Sequence, residues 1–320
     1  MQSLLFNGTP HQSAGSSVLV NGDCFDWMDH QAENLIHAVV TDPPYGVKEF
    51  DADQLVKRAS GNGGVWRIPP TFDGHKRAPL PRFTALNDAE RIRLTEFFVR
   101  LGHSMFRVLR PGGHVFLAGN SYLSQSVFAA ICESGFEFRG EIIRLVRTLR
   151  GGDRPKNAEE EFPDIVSMPR GCYEPWGLFR KPLPKGMTVS ECLRKYQTGG
   201  LRRLPSGGPF NDVIPSERTS RAERDIAPHP SIKPQSLMRQ LVYAALPTGA
   251  GTVMDPFMGS GSTIAACKAL SIQGIGIEAS KEYYDMAVKA IPKLAKIVVS
   301  TSVREHSKPS LLPFFDDQTQ

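Results

Sequence analysis

Residues 251–278 read GTVMDPFMGSGSTIAACKALSIQGIGIE. The apolar run ending at Asp255 is a strand stopped by Pro256, Gly259 and Gly261 permit a tight turn, and residues 262–270 are helix formers. A second apolar run then closes on Glu278. Together they make a strand–turn–helix–strand unit of an open α/β sheet, whose ligands sit beyond the C-terminal strand ends. The glycines let the backbone approach a ligand closely, and the first helical turn offers unpaired N–H donors. Glu278, ending the strand that follows, is placed to hold a ribose through its hydroxyls. No Lys-Ser or Lys-Thr follows the glycines, so this is not a phosphate-cradling loop, and the GxGxxG of a dinucleotide site is missing. That absence also argues against a nicotinamide-dependent oxidoreductase. Asp255 suits a nucleoside ligand with a cationic centre. The candidate ligand-binding residues are thus Asp255, Pro256, Phe257, Gly259, Ser260, Gly261, Ser262 and Glu278.

Outward from this unit, residues 18–147 alternate strand and helix. VLVNGD (18–23) and HAVVTD (37–42) read as strands, 88–109 as a helix with apolar residues at helical spacing, and HVFLAG (114–119) as a strand. A helix over 121–134 and a strand over 136–146 follow. Downstream, 235–246 and 281–295 are helical. Between the 18–147 half and the 229–295 half, residues 148–228 lose the alternation and are rich in Gly, Pro and Arg, the expectation for an inserted recognition region. Residues 1–17 read as a flexible leader, 47–85 as a long mobile loop within the first half, and 296–320 as a polar tail.

The second motif is Asp42-Pro43-Pro44-Tyr45, at the end of a buried-type strand. Two prolines end the ladder and make the turn rigid. The Asp42 carboxylate and the Pro43 carbonyl can each accept one N–H of an amino group, and Tyr45 offers a flat face for a base to stack on. An exocyclic base nitrogen is a poor nucleophile because its lone pair is delocalised. Two fixed acceptors favour a pyramidal nitrogen with that pair aimed at a donor. A plain strand-end turn, with Asp42 as a cap, is the structural alternative.

Composition excludes several classes. Hydrophobic residues make up 40% and charged residues 22%, ordinary for a globular chain. No apolar run approaches the roughly 20 residues needed to cross a bilayer. The first residues lack a secretory pattern, so a cytoplasmic location is expected. Five scattered cysteines, none in a CxxC pair, argue against disulfides and zinc, and no metal is expected. Residues 139–225 hold 17 Lys and Arg against 12 Asp and Glu, a surplus equal to the whole net charge of +5. A nucleic acid would suit that excess, as would a solvated surface.

The pair DPPY and DPFMGSGS resembles the amino-methyltransferases of DNA, in the beta-type order with the catalytic motif first, target recognition in the middle and the cofactor motif last. The resemblance covers residues 18–295. It implies a Rossmann-like seven-stranded mixed sheet, circularly permuted, with helices on both faces and the Asp42 and Asp255 strands adjacent. It implies S-adenosylmethionine as cofactor, with Asp23 of NGDCFDWM (21–28) at its adenine. Glu278 would then lie at its ribose, and Asp255, Phe257, Gly259 and Gly261 along the methionine and sulfonium side. HPSIKP (229–234) resembles the segment that wraps the methionine part, with Lys233 near its carboxylate. The implied activity is direct, site-specific methylation of N6 of a flipped-out adenine in double-stranded DNA, with N4 of cytosine as the alternative. Aspartate at position 42 favours adenine within the family. No cysteine follows a proline, which excludes cytosine-C5 chemistry. An inactive DNA- or cofactor-binding protein is the reading from another class. A bacterial, archaeal or phage host, a cognate restriction endonuclease and a homodimer are compatible with the resemblance. Arg144, Arg147, Arg150, Arg154, Arg194, Lys195, Arg202 and Arg203 are candidate DNA contacts.

Overall fold

Strand β3 (Ile36–Thr41) is buried at every position, as a continuous apolar run must be when both faces of its strand are covered. In the computed structural model, which describes residues 8–44, 88–146, 155, 157–166, 169 and 171–299, it lies at the middle of one mixed sheet. The other strands are β1 (His11–Ala14), β2 (Ser17–Asn21), β4 (Leu109–Ala118), β5 (Glu137–Leu145), β6 (Tyr173–Arg180), β7 (Val213–Pro215), β8 (Thr252–Asp255) and β9 (Gln273–Glu278). Their order is β1-β2-β9-β8-β3-β4-β6-β5-β7. Strands β2, β9, β8, β3 and β4 are parallel, so Asn21, Glu278, Asp255, Thr41 and Ala118 end at one edge. Strand β6 runs antiparallel between β4 and β5, and β7 is parallel to β5.

Helices cover both faces. On one lie α1 (Cys24–Asp29), α2 (Asp88–Val108) and α3 (Ser124–Glu133). Phe98, Leu101, Met105 and Val108 recur along α2 at helical spacing and are fully buried against β3 and β4 residues such as Val39 and Val115. Each such side chain contributes about 1.5–3 kcal/mol by leaving water. The other face carries α6 (Gln235–Ala245), α7 (Ser262–Ala269) and α8 (Lys281–Leu294). Two short helices, α4 (Val189–Tyr196) and α5 (Arg221–Ile226), each begin with a capping box.

Three expectations change. The sheet has nine strands among the described residues rather than seven; the inner seven are flanked by β1 and β7. Residues 11–14, expected within the leader, pair antiparallel with β2; HQSA is polar and largely exposed, so no apolar period marks it. Most consequentially, 148–228 is not wholly an insert, because β6 crosses the sheet interior. Trp176 and Leu178 face one layer and Phe179 the other, so burial on both sides erases the alternation. Pro175 sits just past Trp176, the last β6 residue paired with β4. The loop expected at 47–85 lies outside the described residues.

The direction of β6 also sorts the recognition region. Its start, Tyr173, lies at the edge where β3 and β8 end, and so do Leu145 and Pro215. Helix α4 instead packs where β4 begins: Cys192 Sγ and Thr198 Oγ1 both donate to the Pro111 carbonyl. Arg194 and Lys195 are therefore at the opposite edge.

Gly177 faces Phe179 and Phe128 so closely that a Cβ there would come within 2.5 Å of the Phe179 ring and 2.9 Å of Phe128. Gly177→Ala is expected to lower the unfolding free energy by about 1–3 kcal/mol through overpacking. A urea-denaturation midpoint equal to that of the wild type would show that the rings give way freely.

Candidate active site

Strands β3 and β8 pair side by side, with Val39 opposite Met254, and this sets Thr41 and Asp42 beside Asp255. Thr41 Oγ1 donates to Asp255 Oδ1 at 2.7 Å, and the Phe257 N–H donates to the same oxygen at 3.1 Å. Asp255 is buried, which pushes its carboxyl up to about 6 despite the hydrogen bonds from Thr263, Thr41 and Phe257. The loop that follows turns through Gly259 at φ +50° and Gly261 at φ +83°. A Cβ on Gly261 would lie 2.5 Å from Ile291, so no other residue fits there. Gly261 heads α7, and no side chain caps that helix among the described residues, leaving its N-terminal donors to serve a ligand.

A small cleft opens here, between the end of β3 and the loop after β8. Asp42, Lys233, Asp255, Phe257, Gly259, Ser260 and Ser262 line it, joined by His229, Ser231, Met238, Met258 and Thr263. The two motifs, over 200 residues apart, thus share one cavity. Phe257 is backed by an aromatic row, 6.1 Å from Phe97, which is 5.6 Å from Phe25.

Glu278 stands just outside the cleft. Its Oε2 accepts the Gly259 N–H at 3.0 Å and its Oε1 the Ser280 N–H at 2.8 Å; burial nonetheless raises its carboxyl above the ordinary value. Asn21 donates to the Glu278 carbonyl, tying the end of β2 to that of β9. Asp23 follows, and its Oδ1 caps α1 by accepting from Phe25 and Asp26. Pro256 and Gly261 shape the turn without lining the cleft, Pro43 is buried behind Asp42, and Pro44 is exposed. Tyr45 lies outside the described residues.

The segment 229–234 is clamped from three sides. Thr219 donates to the Ile232 carbonyl, Glu223 accepts the Gln235 N–H, and the Gln235 amide donates to the Ser262 carbonyl. This holds Ser231 and Lys233 over Asp42: Asp42 Oδ2 accepts from Ser231 Oγ at 2.6 Å and from Lys233 Nζ at 2.5 Å. Burial alone would lower the Lys233 pKa, but the Asp42 and Glu174 carboxylates outweigh it and hold it above the usual lysine value. His229 accepts the Ser231 N–H on Nδ1, which leaves its proton on Nε2; burial pushes it down to about 4, so it is neutral at pH 7.

Sequence reasoning missed Thr41 and Glu174. Thr41 could have been found by following the strand register one residue back from Asp42. Glu174 lies in the stretch expected as an insert and carries no local signal.

The model for the family described as DNA methylase matches residues 36–289, most of the chain and every site residue from Asp42 to Glu278. The chain belongs to that family. It is a beta-type DNA amino-methyltransferase, whose cofactor is S-adenosylmethionine. It is 27% identical to the type II methyltransferase M.HindIII of Haemophilus influenzae over 85% of this chain and 94% of that protein. With M.HpaI of Haemophilus parainfluenzae the identity is 45%, over 57% of this chain and 54% of that one. The fold matches the complex of M1.HpyAVI with S-adenosylmethionine at a TM-score of 0.52, 19% identity and coverage of 87% and 98%. It also matches the cytosine-N4-specific PvuII methyltransferase at 0.55, 15% identity and coverage of 91% and 95%. The residues at these strand ends fit the family's cofactor: acids at the adjacent ends of β8 and β9, Asp255 and Glu278, an apolar wall at Phe257 and glycines where a backbone must approach.

The raised pKa of Asp255 means that the ligand-free fold favours the protonated acid. Stability present below the unfolded value of 3.8 is therefore lost as the pH rises through about 6, by about 3 kcal/mol in all. Asp255→Asn keeps an oxygen for Thr41 and cannot ionise. It is expected to raise the chemical-denaturation midpoint at pH 8 and to leave it unchanged at pH 4; an equal effect at both values would mean that burial does not raise this carboxyl above its ordinary value.

Proposed function

We propose that this DNA methylase transfers a methyl group to N6 of an adenine flipped out of duplex DNA. The observation that carries the reading is that Asp42, at the start of the double-proline turn, lines the same cleft as Asp255, Phe257 and the glycine loop. When bound, S-adenosylmethionine supplies an electrophilic methyl carbon on its sulfonium. Asp255, Phe257 and the loop from Gly259 to Ser262 would hold its methionine and sulfonium side, Glu278 its ribose and Asp23 its adenine.

The chain's own part is placement. Asp42 and the Pro43 carbonyl each accept one amino N–H of the target, so the nitrogen lone pair points into the cleft. The surplus proton of the methylated amine would pass to the Asp42 carboxylate and on to water. Extrahelical placement of the base costs about a few kcal/mol. Stacking on Tyr45, worth about 1–3 kcal/mol, offsets part of that. Aspartate at position 42, the residue typical of the family's adenine enzymes, supports N6 of adenine over N4 of cytosine.

The fold narrows the search for DNA contacts. Arg144, itself buried, is spent on Glu174, Ser216 and the Glu217 carbonyl, Arg202 lies over the Tyr243 ring, and Arg203 turns back on Gly207. Arg194 and Lys195 are at the far edge. Arg147, Arg150 and Arg154, which lie outside the described residues, follow β5 in the chain, and β5 ends at the catalytic edge.

Long-read modification mapping of DNA from cells producing the protein is expected to show N6-methyladenine in one short motif, absent with Asp42→Ala. N4-methylcytosine would replace the adenine reading, and unmodified DNA in both strains would refute methylation. Replacing Arg147, Arg150 and Arg154 with Ala is expected to flatten the slope of log affinity against log salt by about 2–3 on unmodified genomic DNA fragments. Arg194→Ala with Lys195→Ala should leave that slope unchanged. The reverse pattern would move the DNA to the other edge.

A further inference from the structure

Lys233 points away from the role that the motif assigns it. Its ammonium lies 2.5 Å from Asp42 Oδ2, 3.4 Å from Ser231 Oγ and 3.7 Å from Glu174 Oε1, with its side chain 11% exposed. Glu174 is itself fixed: Oε1 accepts the Trp176 indole N–H at 2.8 Å and Oε2 accepts from Arg144 at 3.2 Å. Arg144, 7% exposed, donates further to Ser216 Oγ and the Glu217 carbonyl, both at 3.0 Å. The charges alternate along Asp42, Lys233, Glu174 and Arg144 and sum to zero. A cation already set between two carboxylates has little left for a third.

We propose that Lys233, steered by Glu174 and assisted by Ser231, is a positioning residue for the Asp42 carboxylate and not a ligand of the cofactor's methionine end. Two donors on Oδ2 fix the rotation of the carboxylate, so its second oxygen has one set direction. The target amine then meets an acceptor already oriented. Arg144 anchors the chain of contacts to residues 216–217, just after β7, which links the catalytic carboxylate to the recognition side of the sheet. This inference rests on the methyltransferase reading above.

The test uses the full chain with Lys233→Met, Lys233→Arg, Glu174→Gln and Asp42→Ala. S-adenosylmethionine affinity is measured by calorimetry. Single-turnover transfer of labelled methyl to unmodified genomic DNA is measured across pH at saturating cofactor. For Lys233→Met the dissociation constant should change less than about 3-fold while the rate falls at least about 30-fold, the loss expected when a charge-assisted hydrogen bond is removed. Lys233→Arg should recover most of the rate, and Glu174→Gln should lose about 5-fold. Among the described residues, the charged or titratable groups facing Asp42 are Lys233, His229 and Asp255. Without the lysine cation the ionised carboxylate is less favoured, so the acid-side fall in rate should move to higher pH. A purely structural role would not move that limb. Should Lys233→Met fail to fold, Ser231→Ala removes a single hydroxyl from Asp42 and should show a smaller rate loss at unchanged cofactor affinity. A dissociation constant raised tenfold or more with an unchanged saturated rate would make Lys233 a cofactor ligand and overturn the proposal. So would an unmoved acid limb. Failure of the methyltransferase reading itself looks different: the wild type would transfer no methyl, or Asp42→Ala would keep the full rate.

Discussion

The site depends on one pairing, the parallel contact between β3 and β8. Thr41 and Asp255 are separated by 214 positions in sequence and joined by a hydrogen bond of 2.7 Å. Parallel neighbours cannot be joined by a tight turn, so each strand brings its own loop to the shared edge. One loop carries the double proline, the other the glycines. The cleft is the gap between them, where open α/β sheets place their ligands. The order of the two halves along the chain does not matter to this arrangement. A permuted sheet holds the same edge as long as the same strands pair.

Electrostatics at that edge divide into two halves with opposite designs. On the β8 side, Asp255 is buried among hydroxyl and amide donors, with no cation against it among the described residues, and its carboxyl rises to about 6. A ligand with a positive centre would supply the charge that the protein withholds. On the β3 side the cation is built in, because Lys233 already sits against Asp42. One acid is thus left for a cationic ligand while the other is turned into an oriented acceptor. Two carboxylates on adjacent strands take different roles because their neighbours differ.

Much of the fold was legible because its strands are continuous apolar runs with clear stops. Val39 and Val40 lead into two prolines, Val253 and Met254 into Pro256, and the period of Phe98, Leu101 and Met105 marks α2. The elements that escaped did so for physical reasons. Strand β1 is polar but for Ala14 and is placed by its backbone pairing with β2, which no apolar period announces. Strand β6 contains a proline and a glycine and is covered on both faces, so no period survives. At the site, Asp42, Lys233, Asp255, Phe257 and the loop from Gly259 to Ser262 were read from local motifs, whereas Met238, Met258 and Thr263, which also line the cleft, carried no signal. The Asp42–Lys233–Glu174–Arg144 network was not legible either, since its members lie up to 191 positions apart and no spacing rule links them. Arg144 shows the cost of reading charge from composition: counted as a surface cation, it is buried between Glu174 and residues 216–217.

A crystal structure of the protein with sinefungin, in which an amine stands where the sulfonium methyl would be, tests the central claim most directly. The account predicts the ligand's purine beside Asp23, its ribose hydroxyls on Glu278, and its amine turned toward Asp42 across the glycine loop. Sinefungin in a cavity without Asp42, or with its amine directed away from the double-proline turn, would contradict it.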